Sequence, residues 1–191
     1  YGFFKITEGE SSGLWSVLRS SEDEVLKGSL LITLYENLRW KTISPQGFRE
    51  EMLAYLPNES NSLLFSMALS YLGDCQRIFP SDSRPLEQVL WKIVTTNPVS
   101  QHRLQAFRLY RSIADSEEAV QRLYTLWQER KAPKDCTLSE SDYIGLSYML
   151  AMHLPEKADK IIATQLSRIQ NPDRKKEYQF CLLYTSPSPR D

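Results

Sequence analysis

Along most of this chain apolar positions recur every three or four residues, and short polar turns break the pattern into runs of roughly 10–20 residues, the spacing of amphipathic helices. The pattern is strongest over residues 21–40. There Leu26, Leu30, Leu34 and Leu38 recur every fourth residue, with Leu31 and Tyr35 beside them, which predicts a helix with one broad apolar stripe. Ser21 and Glu24 stand three apart ahead of it. That spacing predicts a capping box, in which the hydroxyl accepts from the Glu24 amide and the carboxylate from the Ser21 amide. Glu22, Asp23 and Glu24 set negative charge against the positive end of the helix dipole. Gly28 and Ser29 lower helix propensity, and their expected use is to let a neighbouring helix approach closely.

Other helices follow from the same reading. Residues 9–13 predict a polar turn and residues 14–19 a short helix with Trp15 and Leu18 inward. Ser44-Pro45 supplies a cap and a first-turn proline for a helix with Phe48, Met52 and Tyr55 inside, ended by Pro57. Leu64, Ala68, Leu72, Cys75 and Phe79 keep to one face of a long helix that stops before Pro80, and Leu86, Val89, Leu90, Ile93 and Val94 mark the next. Asn97-Pro98 opens a helix over 99–114 with Ala106, Phe107, Tyr110, Ile113 and Ala114 inside. Asp115 and Glu118 offer a capping box to a helix bearing Val120, Leu123, Tyr124 and Trp127. Residues 143–154 are apolar almost all round, as in a helix buried on several sides. Pro155 restarts the chain with Ala158, Ile161, Ile162, Leu166 and Ile169, and Asn171-Pro172-Asp173 caps a last helix followed as far as Phe180.

These elements predict an all-α fold: an α-solenoid or HEAT/ARM-like irregular array of about ten helices, with a short N-terminal strand remnant. No fixed sequence period emerges, so no regular repeat class is assigned. Tyr-Gly-Phe-Phe-Lys-Ile at the start alternates like the end of a strand, yet no strand follows to pair with it. The expected organisation is residues 1–8 as the remnant of a preceding β-domain, 9–180 as the helical domain, and 181–191 as a non-native or disordered tail. The Ser-Pro-Ser-Pro tail could be a linker or a phosphorylation site; it also resembles translated sequencing adapter, the preferred reading.

Composition narrows the function classes. A net charge of −1 gives none of the basic surplus a nucleic-acid binder uses to displace counterions, so no nucleic-acid partner is expected. No apolar run approaches the roughly 18 residues of a membrane span. The chain opens at Tyr1 rather than Met, so a missing targeting segment carries no meaning. Cys75, Cys136 and Cys181 lack metal-type spacing and read as buried or free thiols. His102 and His153 form no His-Glu-x-x-His pair; Pro155 separates His153 from Glu156, and solvated or helix-capping roles are expected for both histidines. His102, Arg103, Arg108 and Arg111 make the densest basic patch, expected to be a solvated face, with capture of a peptide carboxylate as the alternative. Arg174-Lys175-Lys176 reads as surface charge, and Trp15, Trp40, Trp91 and Trp127 as core anchors. No catalytic, cofactor-binding or metal-ligating residue is assigned.

Several stretches taken together resemble the C-terminal part of zinc aminopeptidases of the alanyl-aminopeptidase family. Tyr-Gly-Phe-Phe-Lys-Ile is similar to the strand that closes their small β-domain, and Trp15 to the tryptophan that starts their helical domain. Leu34-Tyr35-Glu36-Asn37-Leu38 resembles a stretch of its second helix; Ser44-Pro45 with Phe48, and Asn171-Pro172-Asp173-Arg174-Lys175, resemble segments of bacterial members. The likeness spans about residues 1–180.

The resemblance implies a bowl of helices over a thermolysin-like catalytic domain, restricting access to peptides with a free amino terminus. It implies zinc in the parent enzyme but none in this fragment, whose partners would be the missing N-terminal catalytic domain and, in the parent, peptide substrates. It further implies a soluble cytoplasmic or periplasmic location in a bacterial parent. The family's zinc ligands and catalytic glutamate have no counterpart here. The rival expectation is a stand-alone helical-repeat scaffold that binds protein partners.

Overall fold

The computed structural model describes residues 4–185, and among them the chain is all-α, with ten helices and two 3₁₀ turns. Its contacts fall into two compact units, Tyr1–Ile113 and Ala114–Asp191.

In the first unit α1 (Glu8–Ser20), α2 (Glu24–Arg39), α3 (Pro45–Tyr55), α4 (Ser62–Ile78), α5 (Arg84–Thr96) and α6 (Ser100–Ile113) pack in succession. A 3₁₀ turn, Leu56–Asn58, follows α3. α2 lies on α1, α3 and α4; α4 in turn lies on α6, and α5 on α6. The anticipated stripes fill this core: Leu30, Leu31, Leu34 and Leu38 of α2, Phe48, Met52 and Tyr55 of α3, and Leu64, Ala68, Leu72 and Cys75 of α4 are all buried. Ser44 caps α3 by accepting from the Gly47 amide, with Pro45 at its first position. A carboxylate oxygen of Glu8 accepts from the Ser44 amide at 2.6 Å, and Arg19 pairs with Glu51, so α1 is tied to α3 at two points.

The second unit holds α7 (Glu117–Glu129), α8 (Glu140–His153), a 3₁₀ turn (Pro155–Lys157), α9 (Ala158–Arg168) and α10 (Pro172–Thr185). α8 packs on α7 and α9, and α10 on α9. Asn171 caps α10 by accepting from the Asp173 and Arg174 amides at 2.9 and 3.2 Å. The backbone stays helical to Thr185, past the anticipated limit at Phe180, and residues 186–191 of the anticipated tail lie outside the described residues.

Several expectations need correction. Residues 4–7 form no strand, and residues 1–3 of the anticipated strand lie outside the described residues. Their partner is a side chain instead. The buried Asn37 amide donates to Phe4 O at 2.8 Å and accepts from the Ile6 amide at 2.9 Å, the two-point pairing a neighbouring strand would have offered. Its other bonds run to Thr33 O and from the Thr42 hydroxyl, at 2.9 and 2.6 Å, so all four of its positions are filled.

The polar turn over 9–13 is helical, because Thr7 and Glu10 form a capping box that starts α1 at Glu8, six residues ahead of the expected start at 14. α2 is capped by Asp23 rather than by Ser21. Asp23 accepts from the Val25 and Leu26 amides at 2.9 and 3.1 Å, while Ser21 only receives the Asp23 amide. Leu26 is 41% exposed, since the stripe that buries Leu30 and Leu34 has turned away by the first turn. Trp40 is 67% exposed, because it sits at the C-cap where the helix has ended. α7 is capped by Ser116, which accepts from the Ala119 amide, not by Asp115.

Candidate functional site

A buried polar group of the first unit links α2, α3 and the start of α4, beside α6. Lys27 stands on the apolar side of α2, where 27, 30, 31 and 34 share a face, and its ammonium pairs with the carboxylate of Glu59. The Glu59 side chain is 1% exposed, and the Tyr55 hydroxyl donates to it. Its other oxygen accepts from the Asn61 amide at 2.7 Å, and Asn61 in turn caps α4 through the Leu63 and Leu64 amides. Burial by itself raises the Glu59 carboxyl, but the bonds from Lys27, Tyr55 and Asn61 outweigh it and hold it below the ordinary carboxylate value. Desolvation, with the Glu59 bond, pushes the Tyr55 hydroxyl well above the usual phenol range.

One turn on, Ser62 Oγ stands 3.0 Å from His102 Nε2. His102 is fully buried and stacks on Phe65, ring centroids 4.0 Å apart and planes 6° from parallel. This corrects the expectation of a solvated or capping histidine. A serine and a histidine thus meet, but no carboxylate touches the far ring nitrogen, so the orienting partner of a nucleophilic triad is missing.

The remaining sequence candidates are dispersed. Within the basic patch Arg108 is exposed, whereas Arg103 and Arg111 are half-buried and His102 is internal, so the four share no solvated face. Arg103 Nε donates to Asn97 O. His153 is exposed, 3.9 Å from Asp115, and Glu156 pairs with Lys157 rather than with it. Arg174 reaches Glu140 at 3.3 Å. Trp15 and Trp127 are core anchors, at 2% and 3% exposure, and Trp91 is half-buried against Tyr110. Cys75 is buried against Arg49 and Cys136 half-buried; the Cys181 side chain lies outside the described set.

Between α4 and α6 runs an open groove of about 530 Å³, with Leu69, Leu109 and Ile113 as its apolar wall and Asp74, Arg77 and Ser112 along its rim. Asp74 accepts from the Tyr35 hydroxyl at 2.8 Å and from Arg77 at 2.6 Å. Desolvation, helped by Asp74, takes the Tyr35 hydroxyl to about 12. Tyr35 also stacks on Tyr71, centroids 4.0 Å apart. Its lining presents no activated nucleophile.

Sequence reasoning missed Lys27, Tyr55 and Glu59 as a group. The available signal was a lysine on the same helical face as three core leucines, where an unpaired charge would be costly. Among the described residues no group of three or more His, Cys, Asp or Glu could hold a metal ion. No family model, curated protein or solved structure matches the chain.

Proposed function

We propose that this chain is the helical C-terminal part of a zinc aminopeptidase of the alanyl-aminopeptidase type, shaping access to a catalytic centre carried elsewhere in the same protein. The reading rests on the stretches that resemble that family, and one observation supports it most. Two of those stretches, the opening Tyr-Gly-Phe-Phe-Lys-Ile and the Leu34–Leu38 segment of α2, are joined through Asn37, which bonds Phe4 and Ile6 together. A helical array of this kind, entered from an extended segment, suits a role in covering rather than in chemistry. On this reading the parent hydrolyses N-terminal peptide bonds through a zinc-activated water, and this part by itself does not.

Reading the DNA in frame upstream of Tyr1 tests the proposal. A His-Glu-x-x-His motif followed by a further glutamate is the expected result; a start codon close ahead of Tyr1, without that motif, overturns it. The purified 191-residue chain is expected to release no nitroanilide from alanine p-nitroanilide. Release abolished by a chelator and restored by zinc would contradict the reading from the other side.

The groove between α4 and α6 favours a second reading, a scaffold that holds a peptide segment of a partner protein. The start-codon outcome would select it.

A further inference from the structure

His102 has no exposed surface although it carries a titratable ring. Its Nε2 meets Ser62 Oγ, while Nδ1 is enclosed and finds no hydrogen-bond partner among protein atoms. With the single proton on Nε2 the ring donates to Ser62 and leaves Nδ1 a bare acceptor, the less costly orphan. A second proton turns Nδ1 into an enclosed donor that no protein acceptor meets in this structure, and adds positive charge to a ring stacked on Phe65.

We propose that His102 is an acid-sensitive latch between α4 and α6: taking up a proton, its ring leaves Ser62 and Phe65 and the first turns of α6 open, while the rest of the unit stays folded.

The neighbouring charges do not rescue the protonated form. From α2 comes Lys27, itself a cation, and from α3 the Tyr55 hydroxyl, already given to Glu59. Glu59 favours protonation of His102, but its carboxylate is engaged by Lys27, Tyr55 and the Asn61 amide. At the ring α4 places Ser62 and Phe65. The one charged residue among the buried positions of α5 is Glu87, bonded by the Ser83 hydroxyl at 2.8 Å. On α6 itself Arg103 is another cation, and Gln105 Oε1, one turn on, is enclosed without a partner. Burial accordingly takes the imidazole below the ordinary histidine range despite Glu59. Opening is local because α6 is entered through Asn97-Pro98, a short turn fixed by the Val99 amide donating to Asn97 Oδ1.

His102 is one of two histidines in the chain, so it can be followed by an NMR titration of the full 191-residue protein. The His102 midpoint is expected below the ordinary histidine value of 6.5. In parallel, hydrogen exchange of residues 100–106, corrected for the intrinsic rate, should quicken by up to about tenfold per pH unit below ~6.5, with the amides of α2 unchanged. His102→Phe should remove the acceleration; if that variant does not fold, the two wild-type measurements decide. A His102 midpoint at or above the ordinary value of 6.5, as a proton shared with Gln105 would give, overturns the latch. So does pH-independent protection over 100–106, or a loss of protection shared by the whole unit.

Discussion

Trp127 and Gln165 are joined inside the second unit by an indole N–H donating to the glutamine Oε1 at 2.8 Å, with the two residues 3% and 2% exposed. Arg168 closes over the pair, its guanidinium 4.8 Å from the indole centre and donating to Trp127 O at 3.0 Å, so it also serves the free carbonyls at the end of α7. Gln165→Leu leaves a buried indole N–H without an acceptor and should cost ~1–3 kcal/mol in urea unfolding followed by circular dichroism. Trp127→Phe combined with Gln165→Leu should cost less than the two single changes added, since the orphan is then gone. Strict additivity would show that the bond contributes nothing.

The Lys27–Glu59 pair sets a dependence on acid. Glu59 has its folded pKa below its unfolded one, so between the two values the unfolded chain holds more protons. Its contribution is therefore complete above the ordinary value of 4.5 and is lost as the pH falls through the folded one. Lys27→Met strands a buried carboxylate and should cost ~3–5 kcal/mol at neutral pH. Without its counter-ion the Glu59 carboxyl is held down only by Tyr55 and the Asn61 amide against its burial, so acidification should cost this variant less stability than it costs the parent chain. Unfolding midpoints at pH 7 and pH 5 check both statements.

Capping of α2 separates the two candidate registers. Asp23→Ala should cost about 1 kcal/mol, because Asp23 serves two otherwise unpaired amides. Ser21→Ala and Glu24→Ala should each stay within about 0.5 kcal/mol. A larger loss from Ser21→Ala than from Asp23→Ala would restore the capping box at Ser21.

Two helical glycines should respond differently to alanine. A Cβ at Gly28 would meet Leu64 Cδ2 at 3.6 Å, an ordinary contact, so the close approach anticipated there does not require glycine. Gly28→Ala should raise stability by ~0.5–1 kcal/mol through helix propensity. At Gly73 the added carbon would lie 2.9 Å from Leu109 Cδ1, and that side chain must turn aside. Gly73→Ala should gain less than Gly28→Ala, as compared by thermal unfolding midpoints.

What could be read in advance was what depends on spacing along the chain. Leu30, Leu34 and Leu38, or Phe48, Met52 and Tyr55, declare a buried face by period, and Ser44-Pro45 declares a start by chemistry. Contacts distant in sequence were not legible. Gln165 falls on the inner face of α9 with Ile161, and only the indole N–H of Trp127, 38 residues away, explains a polar residue there. Trp40 continues the apolar pattern yet lies past the last turn, so period alone misplaces it. The candidate site was half visible: His102 stood out as one of two histidines, but its burial depends on Phe65 and Ser62 on another helix.

The Asn37 joint has a mechanical consequence. In a β-ladder, tension along a strand is shared over many rungs, whereas here two bonds from one carboxamide hold Phe4 and Ile6. A pull on the N-terminus should therefore detach residues 4–6 in a single rupture at low force, with the leucine-packed body of α2 left standing behind it.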